Sequence, residues 1–147
     1  MDKWISMSLL KRFISYCKID TTSDKHSEKR PTTENQRIFA ELLKKELSEI
    51  GIKNISLDNN CYLIAALESN QEHDVPSIGL ISHIDTSSEV SGKNVNPIIH
   101  RNYNGEKILL KNNNILDPEI FPELLNYIGE TIITSEGTTL LGADNKA

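Results

Sequence analysis

The segment Ser77 to Asp85, Ser-Ile-Gly-Leu-Ile-Ser-His-Ile-Asp, constrains this chain more than any other stretch. Its apolar run, Ile78 to Ile84, reads as a strand, and its polar residues gather at the carboxyl end. In α/β sheets ligand sites collect beyond the carboxyl ends of strands, so this strand points at a site. Residues i and i+2 of a strand face one side, which sends the imidazole of His83 and the carboxylate of Asp85 into the same crevice.

The surrounding pattern fits an α/β domain. From Trp4 to Cys17, apolar Trp4, Met7, Leu10, Phe13, Ile14 and Cys17 recur at helical spacing, leaving Lys3, Lys11, Arg12 and Lys18 mostly to the other side. Residues 20–32 are polar, contain Arg30-Pro31, and read as an exposed loop. Thr33 with Gln36 three residues on has the spacing of a capping box, announcing a helix through Ile38, Phe39, Leu42, Leu43 and Leu47. Gly51 is the expected stop, since a left-handed helix end favours a residue without Cβ. Ile52 to Leu57 and Tyr62 to Leu67 read as strands broken by Asn59-Asn60. Residues 86–117 carry only brief apolar pieces, Val95 to Ile99 and Ile108 to Leu110, and predict a long irregular excursion or a small ribbon. After Pro118, FPELLNYIG predicts a short helix, and ETIITSEGTTLLGAD two β-rich runs about a Glu136-Gly137 turn.

Composition excludes several functions. The 147 residues carry 16 Lys and Arg against 21 Asp and Glu, a net charge of −5 spread along the chain, which is not the basic footprint of a nucleic-acid binder. No apolar run approaches the ~20 residues of a membrane span, and the first residues lack the design of a secretory signal, so a cytoplasmic location is expected. Cys17 and Cys61 stand far apart, outside any C-x-x-C unit, and are expected to be reduced thiols.

Three positions carry chemistry: His83, Asp85, and Asp144 within Leu-Leu-Gly-Ala-Asp-Asn-Lys-Ala. A neutral imidazole nitrogen binds a divalent metal, and a nearby carboxylate hydrogen-bonds a ligand or orients a water. A second carboxylate from another loop can bridge two cations ~3.5–4 Å apart, a role open to Asp144. A lone His-x-Asp pair is also compatible with two solvated side chains at a strand end. His26, His73 and His100 lie in polar segments without a matching carboxylate and are read as solvated loop histidines. The cations between Lys25 and Arg30, interrupted by Glu28, read as a solvated loop.

The runs IGLISHIDTSSEVSGKNVNP and FPELLNYIGETIITSEGTTLLGADNKA, with DTTS before them, resemble tripeptide aminopeptidases of a zinc exopeptidase family that also holds aminoacylases and carnosinase-type dipeptidases. The resemblance covers essentially the whole chain and the front of a longer family pattern. It implies the amino-terminal portion of a zinc-exopeptidase catalytic domain spanning residues 1–147: an incomplete mixed sheet flanked by helices, with the rest of that domain and a lid or dimerisation domain absent.

By the same resemblance His83 is a ligand to one metal, Asp144 the carboxylate bridging two Zn2+ ions, and Asp85 the catalytic carboxylate orienting the site. Asn145 replaces the second acid of the family's Asp-Asp-Lys. Ser91, Lys93, Asn94 and Lys146 fall in resembling segments without an assigned contact. The family's general-base Glu, its adjacent metal-binding Glu, a further acidic ligand and a second His have no match here. A catalytic zinc needs about three protein ligands, so the 147 residues alone are expected to be inactive. The implied activity is release of the N-terminal residue of tripeptides, favoured by SGKNVNP. A dipeptide or acylamino-acid hydrolase and a non-catalytic remnant or interaction fragment are the alternatives.

Overall fold

The computed structural model describes residues 3–139, and its contacts divide the chain into two compact units, residues 21–85 and residues 1–20 with 86–147. Helix α1 (Lys3–Cys17) opens the second of these. Along its described side chains Leu10, Phe13 and Ile14 are half-buried and Cys17 is buried, while Lys11 and Ser15 are exposed. That is the expected amphipathic division.

The 21–85 unit is a helix on a hairpin. Helix α2 (Glu34–Glu49) packs against β1 (Asn54–Leu57) and β2 (Leu63–Ala66). Its buried residues are Gln36, Phe39 and Ala40, whereas Ile38 is 54% exposed. The helix ends as expected: Gly51, at φ +98, and Ile52 send their backbone N–H groups back to Ser48 and Leu47, satisfying carbonyls that would otherwise be orphaned. The strands pair antiparallel, Ile55 opposite Ala65, around the Asp58–Tyr62 loop. Arg37 of α2 donates to the backbone oxygens of Asp58 (3.1 Å) and Asn59 (2.7 Å), fixing the loop to the helix.

The expected strand Ile78 to Ile84 forms no β-ladder among the described residues. Its Ile78, Leu80 and Ile81 stand at 89%, 96% and 99% exposure. A strand is a property of two backbones, and apolar alternation alone supplies only one. The mixed sheet is likewise replaced here by three two-stranded antiparallel pairs, so the chain is α/β in content without a parallel ladder among the described residues.

Residues 86–117 contain a small ribbon and also contribute one strand to a pairing with residues further along the chain. Strand β3 (Ile98–His100) pairs with β6 (Ile132–Thr134), and β4 (Ile108–Leu109) with β5 (Ile115–Leu116) in the ribbon. His100, expected in a solvated loop, instead lies in β3 with Nε2 2.9 Å from the Thr134 hydroxyl across the ladder. The expected helix after Pro118 is a 3-10 segment over Pro122–Tyr127. Cys17 and Cys61 are both unbridged thiols, and burial pushes the Cys61 thiol upward. Among the described residues no helix is long and apolar enough to cross a membrane.

Three ion pairs join side chains among the described residues of this second unit, the longest of them Lys107 to Glu119 at 3.7 Å. Lys107 Nζ lies 2.7 Å from Asp117, and Lys111 Nζ lies 2.8 Å from Glu136. The hydrogen bond from Lys107, then the Glu119 N–H, depress Asp117 below its ordinary 3.8. Lys111, then Thr138 and Asn96, depress Glu136 below its ordinary 4.5. A depressed folded pKa stabilises above the unfolded value and is lost as pH falls through the folded one. Thermal unfolding followed between pH 6 and 3 should therefore show a falling midpoint, with a shallower fall in Asp117→Asn/Glu136→Gln. Parallel curves for the two proteins would show that these carboxylates do not set acid stability.

Candidate metal-binding site

The 21–85 unit gathers His83 and Asp85 as the alternation predicted. His83 Nδ1 is 2.7 Å from the backbone oxygen of Asp85 and 3.3 Å from its Oδ1, and both side chains are about half exposed, at 49% each. A carbonyl oxygen and a carboxylate oxygen can only accept, so Nδ1 must carry the proton. The neutral imidazole then has its lone pair on Nε2, the arrangement in which histidine ligates a divalent cation. The pair therefore meets the donor chemistry of a metal ligand backed by a carboxylate.

The other oxygen of Asp85, Oδ2, accepts from the Ser23 hydroxyl. Ser23 belongs to the 20–32 loop, which is more deeply held than its composition predicted. Thr21 is fully buried and its hydroxyl donates to the Ile84 carbonyl at 3.0 Å, so the loop is pinned one residue before Asp85. Thr33 and Gln36 do not form the capping box their spacing predicts. Thr33 is the N-cap of α2, but its hydroxyl donates to the Thr22 carbonyl at 3.2 Å. Gln36, buried at 5% exposure, accepts the Thr32 N–H at 3.0 Å, and the two hydrogens of its amide nitrogen are shared among three oxygens, Thr32 Oγ1 (2.9 Å), the Thr21 carbonyl (3.3 Å) and, most distant, Ser23 Oγ (3.4 Å). Sequence reasoning gave Ser23 and Gln36 no role in a site. Their signal was a Ser and two Thr after Asp20 beside a second, Thr33-headed helix start, a pattern that ordinary capping explains equally well.

Asp144 lies outside the described residues, as do Asn145 and Lys146. Among the described residues no group of three or more His, Cys, Asp or Glu side chains is drawn together as a metal cage. Ser91, Lys93 and Asn94 form an exposed turn in the other unit, where the Ser91 hydroxyl accepts the Lys93 N–H at 3.2 Å and Asn94 takes φ +54. His26 and His73 are exposed, as expected for loop histidines.

Comparison with known proteins gives one consistent result. The chain is 49% identical over 141 residues to the peptidase T of Bacillus licheniformis, covering 95% of this chain and 34% of that protein. It is 54% identical over 138 residues to the peptidase T of Halothermothrix orenii, 92% of this chain and 34% of the relative. The peptidase T of Listeria innocua is 50% identical over 141 residues, with 95% and 34% covered. The chain thus spans about a third of the length of the curated relatives it matches. No family model matches it.

Proposed function

We propose that these 147 residues are the amino-terminal part of the catalytic domain of a peptidase T, a cytoplasmic, zinc-dependent aminopeptidase releasing the N-terminal residue of tripeptides. The observation that carries this reading is identity of 49–54% with three such proteins along more than nine-tenths of the chain. Two structural features support it. The Nδ1–H tautomer enforced on His83 leaves Nε2 as a ligand nitrogen. The nearly complete exposure of Ile78, Leu80 and Ile81 fits a sheet strand whose neighbours lie beyond the described residues.

His83 and Asp144 are assigned as ligands of two Zn2+ ions, with Asp144 between them, and Asp85 as the carboxylate that holds His83 and orients the site. When bound, the ions supply Lewis-acid polarisation of the scissile carbonyl and acidification of water. The part played by the described residues is positional. Asp85 fixes the imidazole's tautomer and angle, and the 20–32 loop fixes Asp85.

A panel of di-, tri- and N-acylated peptides assayed on the full-length protein tests the reading. Tripeptides should be cleaved at their first bond, with activity lost on chelation and restored by Zn2+. Preference for the acylated compounds would replace this assignment with an acylamino-acid hydrolase, turnover that survives chelation would remove the metals, and no turnover at all would mark a non-catalytic remnant.

A further inference from the structure

We propose that Ser23 is a positioning residue for the metal-binding imidazole, and that Gln36 sets Ser23 for that task. The proposal rests on the assignment of His83 and Asp85 above and adds two residues to it.

The hydrogen-bond directions follow from donor and acceptor inventory. Asp85 as a carboxylate only accepts, so the single Ser23 hydroxyl hydrogen points at Oδ2. Ser23 Oγ can then meet Gln36 Nε2 only as an acceptor. The orientation of the Gln36 amide is fixed in turn, because its Oε1 takes the Thr32 N–H and its Nε2 faces the Thr21 carbonyl, an obligate acceptor. One relay results, running from a buried amide at the start of α2 through a hydroxyl and a carboxylate to an imidazole Nδ1–H.

Each carboxylate oxygen has a different partner, Oδ1 the imidazole and Oδ2 the serine. A carboxylate on a single bond to Cβ turns easily, since its terminal torsion is broad. With Oδ2 held, Oδ1 stays beside His83 Nδ1, and the proton stays on Nδ1. Without Ser23, Asp85 can turn toward solvent, because it is about half exposed. The imidazole then keeps the backbone oxygen of Asp85, the nearer acceptor at 2.7 Å, but loses the charged acceptor that adds to its tautomeric preference. The members of the capping box that does not form are the groups that hold this loop, which accounts for a helix start spending its side chains away from its own backbone N–H groups.

Nitrogen-15 spectra of the His83 ring in the labelled 147-residue chain, recorded where the ring is neutral, read the tautomer directly. The wild type and Ser23→Thr should show Nδ1 protonated and Nε2 bare. Ser23→Ala should show a mixture, with far-UV circular dichroism and melting midpoint unchanged. In the full-length protein Ser23→Ala should lower kcat by about 10-fold at most, the lower end of the range for loss of the group directly behind a metal ligand, with KM little altered and Ser23→Thr restoring most of it. An unchanged tautomer in folded Ser23→Ala overturns the proposal whatever the metal does. A His83→Ala full-length protein that keeps its activity would instead remove the metal assignment and leave the tautomer result standing.

Discussion

His83→Ala in the full-length protein should lower kcat/KM for tripeptides by at least about 10³-fold. A bound metal contributes several kcal/mol of transition-state stabilisation, and each 1.36 kcal/mol is a factor of ten, so losing ~4 kcal/mol removes about three orders of magnitude. Asp144→Ala should do no less, because the role proposed for Asp144 is to supply the negative charge that offsets the mutual repulsion of two cations. Asp85→Ala should be milder, roughly 10- to 100-fold, since the imidazole retains the Asp85 backbone oxygen at 2.7 Å. His73→Ala, at an exposed position, should leave turnover unchanged. The ordering matters more than any single value: it follows from assigning His83 and Asp144 to the metals and Asp85 to the orientation of His83. A His83→Ala protein within threefold of wild type would end the metal assignment, and equal losses in all four variants would point to misfolding rather than chemistry.

The helices and the first hairpin were legible because their signals are local. Apolar spacing located α1 and α2, and Gly51 terminates α2 through the left-handed conformation its lack of a side chain permits. Strand pairing was less legible because it depends on partners far away in sequence. Val95 to Ile99 and the run after Glu130 each read as apolar fragments, yet it is the pairing of Ile99 with Ile133 that makes them a ladder and places His100 beside Thr134. The run Ile78 to Ile84 has a clear strand pattern and yet no ladder among the described residues. Pattern strength measures what a segment can bury, while pairing requires a second backbone.

The candidate site divides along the same line. The His-x-Asp pair was legible because its two members are two residues apart, and the structure keeps them in contact without a strand ladder. The support behind Asp85 comes from 62 residues earlier in the chain, where Ser23 sits in a loop whose composition reads as solvated. Thr33 and Gln36 were legible as a helix start and are one in backbone terms, with the Gln36 N–H on the Thr33 carbonyl at 3.3 Å. Their side chains serve the loop instead, and no local rule predicts that choice, since a buried amide goes wherever the most acceptors and donors are offered.

Gly137→Ala should be more damaging than the same change at Gly51, Gly79, Gly105 or Gly129, destabilising the chain by roughly 2–5 kcal/mol. Gly137 has φ +94, which costs a residue with Cβ about 1–2 kcal/mol. An added Cβ would also stand 2.9 Å from Leu110 Cβ and 3.1 Å from the Lys111 carbonyl, so backbone would have to move, and overpacking of this kind costs ~1–3 kcal/mol. The contacts placed at risk are those joining the turn after β6 to the segment after β4: the Lys111 N–H on the Glu136 carbonyl at 2.7 Å, the Asn114 amide on the Gly137 carbonyl at 2.9 Å, and the Lys111–Glu136 ion pair. Gly51→Ala separates the two causes, because Gly51 shares the positive φ, +98, but has nothing within 4 Å of the position a Cβ would take. Thermal unfolding of the 147-residue chain should therefore give a small drop for Gly51→Ala and a drop of about 4–20 °C for Gly137→Ala, at roughly 2–4 °C per kcal/mol. Equal drops would mean that backbone conformation alone sets the cost and that the Leu110–Lys111 segment yields freely to a methyl group.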